Sequence, residues 1–181
     1  MPEAELRAWA RREEAAVELK SAGWADVASS DIAEVVEGAD LVVLCMPVEF
    51  MAGTVAAFPE KTSAQRLLVT DVGSVKRSVV NAIGESISEK GGIFLGSHPM
   101  AGSEKSGMDH ASEDLYVNAP VIMTPDGKSG EMEACVKDLR HFWEIVGGKV
   151  SVMSPEEHDE PGSGQWNMVN TWDNYAPGQY G

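Results

Sequence analysis

Continuous apolar runs alternate with amphipathic stretches along most of this chain. Three runs have the unbroken apolar character of parallel strands buried on both faces: residues 39–47 (ADLVVLCMP), 66–74 (RLLVTDVGS) and 92–99 (GIFLGSHP). Shorter strands are predicted at 5–10, 119–125 and 149–153, and helices at 11–23, 31–38, 75–91 and 129–146. Strands separated by helices of this length form βαβ units. The pattern therefore predicts an α/β fold with a doubly wound, mainly parallel sheet.

The pattern stops near residue 160. Residues 161–181 (PGSGQWNMVNTWDNYAPGQYG) contain no Lys or Arg and no apolar period, and they are rich in Gly, Asn, Trp and Tyr. Such a composition gives little apolar burial to offset the entropy of ordering. We expect one domain over residues 1–160 and an irregular tail over 161–181 that packs little against it.

Composition limits the classes of partner. A net charge of −15 without a basic stripe argues against nucleic acid. No apolar run reaches the roughly 18 residues of a membrane span, and the N-terminus lacks a signal-peptide core, so a cytoplasmic protein is expected. Cys45 and Cys135 are interpreted as buried, reduced thiols. An anionic ligand would need the local cations at Arg11-Arg12, Lys76-Arg77 or Lys105.

Polar residues follow the three long strands. Met46 and Pro47 end the first, Asp71, Gly73 and Ser74 follow the second, and Ser97-His98-Pro99 ends the third. In a parallel sheet these ends share one edge, where ligands bind.

Each residue alone has a simpler reading. Ser74 could cap the following helix, and His98 could be structural. His110, His141 and His158 are interpreted as surface residues, with no spacing typical of a metal site.

Taken together, four segments resemble one family. They are TDVGSVK (70–76), GSHPMAGSEKSG (96–107), LYVNAPVIMTP (115–125) and SPEEHD (154–159). In this order they resemble the prephenate/arogenate dehydrogenases of tyrosine biosynthesis, over residues 11–160. The resemblance implies a Rossmann-like, NAD(P)-binding domain, a prephenate or arogenate substrate, and homodimers in full-length members.

The resemblance also implies roles for individual residues. Hydride would leave the ring carbon that bears the hydroxyl, with loss of CO2 as the ring becomes aromatic. His98 corresponds to the histidine that takes the hydroxyl proton, and Ser74 to the serine that orients hydroxyl and nicotinamide. Ser103 and Glu104 correspond to substrate-binding positions. The strand-end residues assigned to the cofactor are Met46, Pro47, Asp71 and Gly73.

Arg11 and Arg12 bear on the choice of cofactor. They follow the predicted strand at 5–10, where NAD enzymes place an acidic residue for the ribose hydroxyls. Arginines there could hold a 2′-phosphate, which favours NADP over NAD. The alternative is a pair of solvated arginines at the start of a helix.

The sequence departs from the family pattern at both ends. It has no GxGxxG motif, so we expect the first strand and its glycine-rich turn to be lacking. The tail stands where the family has a helical dimerisation domain. Two other functions stay open: a truncated, inactive remnant that binds a nucleotide or a partner, and another Rossmann hydroxyacid dehydrogenase. The latter would be expected to use a lysine base on a later helix.

Overall fold

The structure is a computed structural model that describes residues 4–60, 66–101, 110–127 and 129–160. Ser103, Glu104 and the tail at 161–181 lie outside the described residues, so the predictions made for them stay predictions. The strands of the described part are β1 (Arg7–Trp9), β2 (Val27–Ser29), β3 (Leu41–Leu44), β4 (Leu67–Asp71), β5 (Gly92–Phe94), β6 (Gly96–Pro99), β7 (Pro120–Thr124) and β8 (Lys149–Val152). Its helices are α1 (Glu13–Ser21), α2 (Ile32–Val36), α3 (Val48–Ala56), α4 (Arg77–Glu89), α5 (Gly130–Ile145) and α6 (Pro155–Asp159).

The strands form an α/β arrangement with mainly parallel pairing, as predicted. β1 pairs with β2, and β3, β4 and β5 lie side by side in that order, all parallel. β7 pairs with β8 in parallel and with β6 in antiparallel direction. The predicted adjacency of the three long apolar strands is confirmed for β3, β4 and β5.

The central strand β4 is buried on both faces. Successive side chains of a strand point to opposite faces, so Leu67 and Val69 join one core while Leu68 joins another. The first core draws on α3 and α4 through Met51, Val55, Val79, Ile83 and Ile87. The second draws on α5 and β7 through Val121, Met123, Cys135, Leu139 and Trp143. Two cores on opposite sides of one strand are what a doubly wound sheet requires.

Local signals at the helix ends behave as predicted. The Asp31 carboxylate accepts a hydrogen bond of 2.9 Å from Ala33 N and caps α2. Gly23 and Gly91 follow α1 and α4 with φ of +73° and +77°. This left-handed region is readily available to glycine and ends a helix.

Some predictions of secondary structure are wrong. The strand predicted at 92–99 divides into β5 and β6, because the amide and hydroxyl of Ser97 turn to Asp71 instead of continuing the ladder with β4. β3 is mostly half-buried, since β4 is its one partner among the described strands. β2, α3 and α6 were not predicted.

The two cysteines differ. Both are free thiols, but Cys135 is buried while Cys45 is exposed. The prediction of buried thiols is confirmed for Cys135, whereas Cys45 is an exposed residue after the end of β3, although burial raises the pKa of its thiol. In the part of the chain that the structure describes, no helix has the length and apolar character needed to cross a membrane.

Candidate active site

The ends of β4 and β6 meet at one edge. The hydroxyl of Ser97 donates to the carbonyl of Asp71 at 2.7 Å, and Ser97 N donates to Asp71 Oδ1 at 3.3 Å. The register pairs Leu44, the last residue of β3, with Asp71. His98 therefore lies one residue from the point where the neighbouring strands end, as the sequence predicts.

A buried ion pair holds this edge together. Lys76 Nζ lies 2.5 Å from Asp71 Oδ2, and both side chains are 0% exposed. Lys76 also donates to the carbonyl of Ser97 at 2.6 Å, and Gly73 N donates to Asp71 Oδ2 at 2.9 Å. Burial raises the pKa of Asp71 and lowers that of Lys76, and their mutual attraction opposes both shifts. The pair fixes the loop after β4 to the backbone beside His98.

The glycine that begins β6 is needed for close approach. A Cβ at Gly96 would lie 2.6 Å from Thr124 Oγ1 and 3.4 Å from Lys76 Cδ. A larger residue would push β6 away from β7 or from the buried lysine. The small residue two positions before His98 thus keeps the imidazole against this edge.

His98 is joined to a second histidine. Its Nδ1 lies 3.0 Å from His158 Nε2, and His158 Nδ1 lies 2.7 Å from Asp159 Oδ1. The side chain of His158 is only 6% exposed. The interpretation of His158 as a surface residue is therefore wrong, because α6 folds back and places it against His98.

The carboxylate of Asp159, the last member of this hydrogen-bonded series, also caps helix α4. Asp159 accepts hydrogen bonds from Lys76 N at 3.0 Å and from Arg77 N at 2.7 Å. Arg77 forms an ion pair with Glu156 on α6 as well. The start of α4 and the end of α6 are thus fastened to each other beside the site.

The surroundings set the ionisation of the site. Burial, the electrostatic influence of His158 and the charge of Lys76 lower the pKa of His98 to about 4, while Asp159 opposes them. Although burial raises the pKa of Asp159, hydrogen bonds from His158, Arg77 and Lys76 bring it below its usual value. At neutral pH, His98 is therefore an uncharged imidazole and Asp159 a carboxylate.

Ser74 is not a helix cap. The helix begins at Arg77 with Lys76 as its N-cap residue, and the carboxylate of Asp159 takes the capping role. Ser74 is exposed, and its hydroxyl bonds to no described residue. The simpler alternative for Ser74 is therefore wrong, because the N-cap position belongs to Lys76.

The residues assigned to a cofactor lie in different settings. Pro47 is exposed at the start of α3, and the half-buried Met46 accepts a hydrogen bond of 3.3 Å from Thr54. Arg11 and Arg12 are exposed after β1, and neither forms an ion pair with a described residue. The Asp71 carboxylate is enclosed, so any influence on a cofactor would pass through the Gly73 backbone.

Sequence reasoning missed His158 and Asp159 as site residues. A local signal was present, since Ser154 and Glu157 form a capping box that starts α6. The pattern S-x-x-E is typical of a helix start. It predicts the helix, but not the long-range contact with His98.

Parallel strands with helices packed on both sides, and polar groups gathered at their carboxyl ends, define a dinucleotide-binding α/β domain. The family model for the prephenate dehydrogenase nucleotide-binding domain matches residues 6–152. The chain therefore belongs to the prephenate dehydrogenase family, as its motifs indicated.

Known relatives agree with this assignment. The chain is 37% identical over 134 residues to the cyclohexadienyl dehydrogenase of Zymomonas mobilis, covering 74% of this chain and 44% of that protein. It is 37% identical over 147 residues to the prephenate dehydrogenase of Bacillus subtilis, covering 81% and 38%. A solved structure of the prephenate dehydrogenase of A. aeolicus with hydroxyphenyl propionate and NAD+ matches with a TM-score of 0.72 at 29% identity, covering 98% and 64%. The chain thus spans about two fifths of the curated relatives' length.

Proposed function

We propose that this chain provides the nucleotide-binding and proton-accepting part of an NAD(P)-dependent dehydrogenase that oxidatively decarboxylates prephenate or arogenate. The observation that carries the proposal is the setting of His98. Its imidazole is uncharged at neutral pH, is held through Nδ1, and has no described partner at Nε2. A fixed, neutral imidazole whose second nitrogen has no partner among the described residues suits a general base.

The reaction divides between the protein and the cofactor. When bound, NAD(P)+ would supply the acceptor for the hydride that leaves the ring carbon carrying the hydroxyl. His98 Nε2 accepts the hydroxyl proton as the C–O bond becomes a carbonyl. The bond to the ring carboxylate then breaks, CO2 leaves, and the bonding electron pair passes through the ring to the carbonyl oxygen. The aromatic phenolate so formed becomes the phenol by taking back the proton held on His98. The contribution of the chain is to hold the hydroxyl and receive its proton.

Ser74 is proposed to orient the substrate hydroxyl. Its own hydroxyl is exposed and unpaired among the described residues, at the same edge as His98. A serine hydroxyl can donate one hydrogen bond and accept two. Ser103 and Glu104 remain proposed substrate-binding residues on the strength of the family motif.

The residues that follow β1, β3 and β4 are proposed to bind a dinucleotide. The exposed guanidinium groups of Arg11 and Arg12 follow the end of β1 and have no anionic partner in the described part. Met46, Pro47 and Gly73 surround the ends of β3 and β4 and are proposed to line the nucleotide site. Free arginines at this position favour a 2′-phosphate, so NADP is proposed over NAD.

The test of the proposal is turnover with each substrate and each cofactor, in this chain and in any longer polypeptide that contains it. His98→Asn should lower kcat by roughly 10²–10⁴, the usual share of general base catalysis. Cofactor affinity should barely change. A loss below about tenfold would contradict His98 as the base.

Ser74→Ala is the graded comparison for that experiment. It removes a proposed orienting hydroxyl and leaves the base, so its effect on kcat should be smaller than that of His98→Asn. An equal or larger loss would contradict the assignment of the main catalytic role to His98.

The choice of cofactor is tested by binding. Changing Arg11 and Arg12 together to Ala should weaken NADP binding by about 1.5–3 kcal/mol, since charge-assisted hydrogen bonds to a phosphate are lost. NAD binding should change much less. Equal losses of affinity for the two cofactors would favour the alternative, that these arginines are solvated residues at the start of a helix.

A further inference from the structure

We infer that His158 and Asp159 are positioning residues that fix which nitrogen of His98 carries its proton. They form an unbroken hydrogen-bonded chain from His98 through His158 to Asp159 and on to the first backbone amides of α4. The inference deepens the proposed function, because it concerns the residue proposed there as the base.

The direction of the hydrogen bonds follows from the carboxylate. An ionised carboxylate can only accept hydrogen bonds, so His158 must donate to it from Nδ1. In neutral His158 the proton is then on Nδ1, and Nε2 is an acceptor. His98 must therefore donate from Nδ1, which leaves the lone pair of its Nε2 free. These hydrogen bonds select the one tautomer of His98 that can take a proton through Nε2.

The carboxylate is itself held in place. Lys76 N and Arg77 N both donate to Asp159, and its bond to Arg77 N is 2.7 Å long. Two fixed backbone donors prevent rotation of the carboxylate away from His158. The orientation of His98 is thus set by the start of helix α4.

The same chain affects the charge that forms on His98 when it accepts a proton. The charge of Lys76 disfavours that charge, while the carboxylate of Asp159, bonded to His158, favours it. Because the imidazolium donates through Nδ1 to His158, the hydrogen-bonded chain links its positive charge to the carboxylate. His158 and Asp159 therefore hold His98 both before and after the proton moves.

Asp159→Asn is the sharpest test, because the geometry predicts that each hydrogen bond between residues 98, 158 and 159 reverses its direction. An amide oxygen in the place of Oδ2 keeps an acceptor within reach of both backbone donors, Arg77 N at 2.7 Å and Lys76 N at 3.3 Å. The NH2 group then takes the place of Oδ1 and faces His158 Nδ1. His158 would then carry its proton on Nε2 and donate to His98 Nδ1. The proton of His98 would move to Nε2, the nitrogen required as a base.

The measurement is the tautomer of His98 at pH 7. Long-range proton–nitrogen NMR spectra of the 15N-labelled chain distinguish a protonated from an unprotonated imidazole nitrogen, and the signals lost in His98→Asn assign this residue. We expect a proton on Nδ1 in the unaltered chain and on Nε2 in Asp159→Asn. A proton on Nε2 in the unaltered chain, or the same tautomer in both, would overturn the inference.

A second variant keeps the test valid if Asp159→Asn does not fold. His158→Leu retains the carboxylate that caps α4 but removes the partner of His98, so the Nε2-protonated form should appear. Persistence of the Nδ1 form alone would contradict the inference. Glu156→Gln is the matched control on α6: it changes a carboxylate that pairs with Arg77 but does not contact His98, and the tautomer should stay unchanged.

Turnover separates this inference from the proposed function. In an active enzyme, the reversed tautomer should lower kcat by up to about 10⁴-fold, the scale known for a misdirected catalytic histidine. If the tautomer responds as expected while His98→Asn leaves kcat within tenfold, the proposed function fails and the positioning role stands. If His98→Asn removes turnover but neither variant moves the tautomer, the inference fails alone.

Discussion

The Asp71–Lys76 pair and the His98–His158–Asp159 chain are neighbours at the same edge of the sheet, but they differ in what they leave free. The ion pair is completely buried, and its two charges contact each other and nearby backbone groups. The histidine chain is only partly buried and ends at a nitrogen with no described partner. A closed arrangement stabilises the edge of the sheet, whereas an open one can exchange a proton.

Breaking the closed arrangement should have the largest effect on folding. Lys76→Met leaves the Asp71 carboxylate buried without its charged partner, which should reduce the free energy of unfolding by about 3–5 kcal/mol. Urea denaturation of the unaltered protein and of Lys76→Met measures this difference in the free energy of unfolding.

The exposed pair between Arg66 and Asp138 provides the control. Arg66→Met should cost at most about 1 kcal/mol, because solvent screens such pairs. Adding Asp71→Asn to Lys76→Met should restore part of the lost stability. If Lys76→Met were no more harmful than Arg66→Met, the pair would not stabilise the edge.

The histidine chain should make the free energy of unfolding depend on pH. The pKa of His98 is about 4 in the folded chain and about 6.5 when unfolded, so the unfolded chain binds this proton more tightly. The stability associated with neutral His98 is complete above pH 6.5 and is lost as the pH falls toward 4.

The slope in that window should be at most about 1.4 kcal/mol per pH unit for this one group. His98→Asn should flatten the dependence of the unfolding free energy on pH between 4 and 6.5. His141→Asn, on the exposed surface of α5, serves as the control and should leave the curve unchanged. Parallel curves for His98→Asn and the unaltered chain would contradict the lowered pKa.

The smallest expected effect on stability concerns Asp159, which belongs to the histidine chain and also bonds to the backbone of Lys76. Asp159→Ala removes the acceptor for Lys76 N and Arg77 N, and loss of such a cap should cost roughly 1–2 kcal/mol. Thermal unfolding compares this variant with Glu156→Ala, which loses only an exposed ion pair. Equal losses in the two would mean that the carboxylate of Asp159 does not stabilise α4.

The sequence predicts the parts of this molecule that depend on local pattern. The buried strand β4, the helices α1, α2, α4 and α5, and the neighbouring ends of β4 and β6 follow from hydrophobic period and topology. The positions of Ser74 and His98 at one edge follow in the same way, with support from the family motif.

What escaped prediction depends on contacts between distant residues. The capping box and the family segment SPEEHD mark the helix that carries His158, but neither predicts its burial, which results from α6 packing against the start of α4. The division between β5 and β6 likewise depends on the side chain of Asp71, which turns Ser97 away from the ladder. Neither feature has a period that could be recognised in the sequence.

The bond between Lys76 and Asp159 joins residues 83 positions apart. During synthesis, β3, β4 and α4 can begin to assemble well before residue 159 is made, because domains build from the N-terminal side and contacts between distant residues form slowly. The imidazole of His98 therefore gains its orienting partners only after nearly all of the described chain has emerged. A nascent or clipped chain that ends before α6 could form much of the sheet and still lack an oriented base.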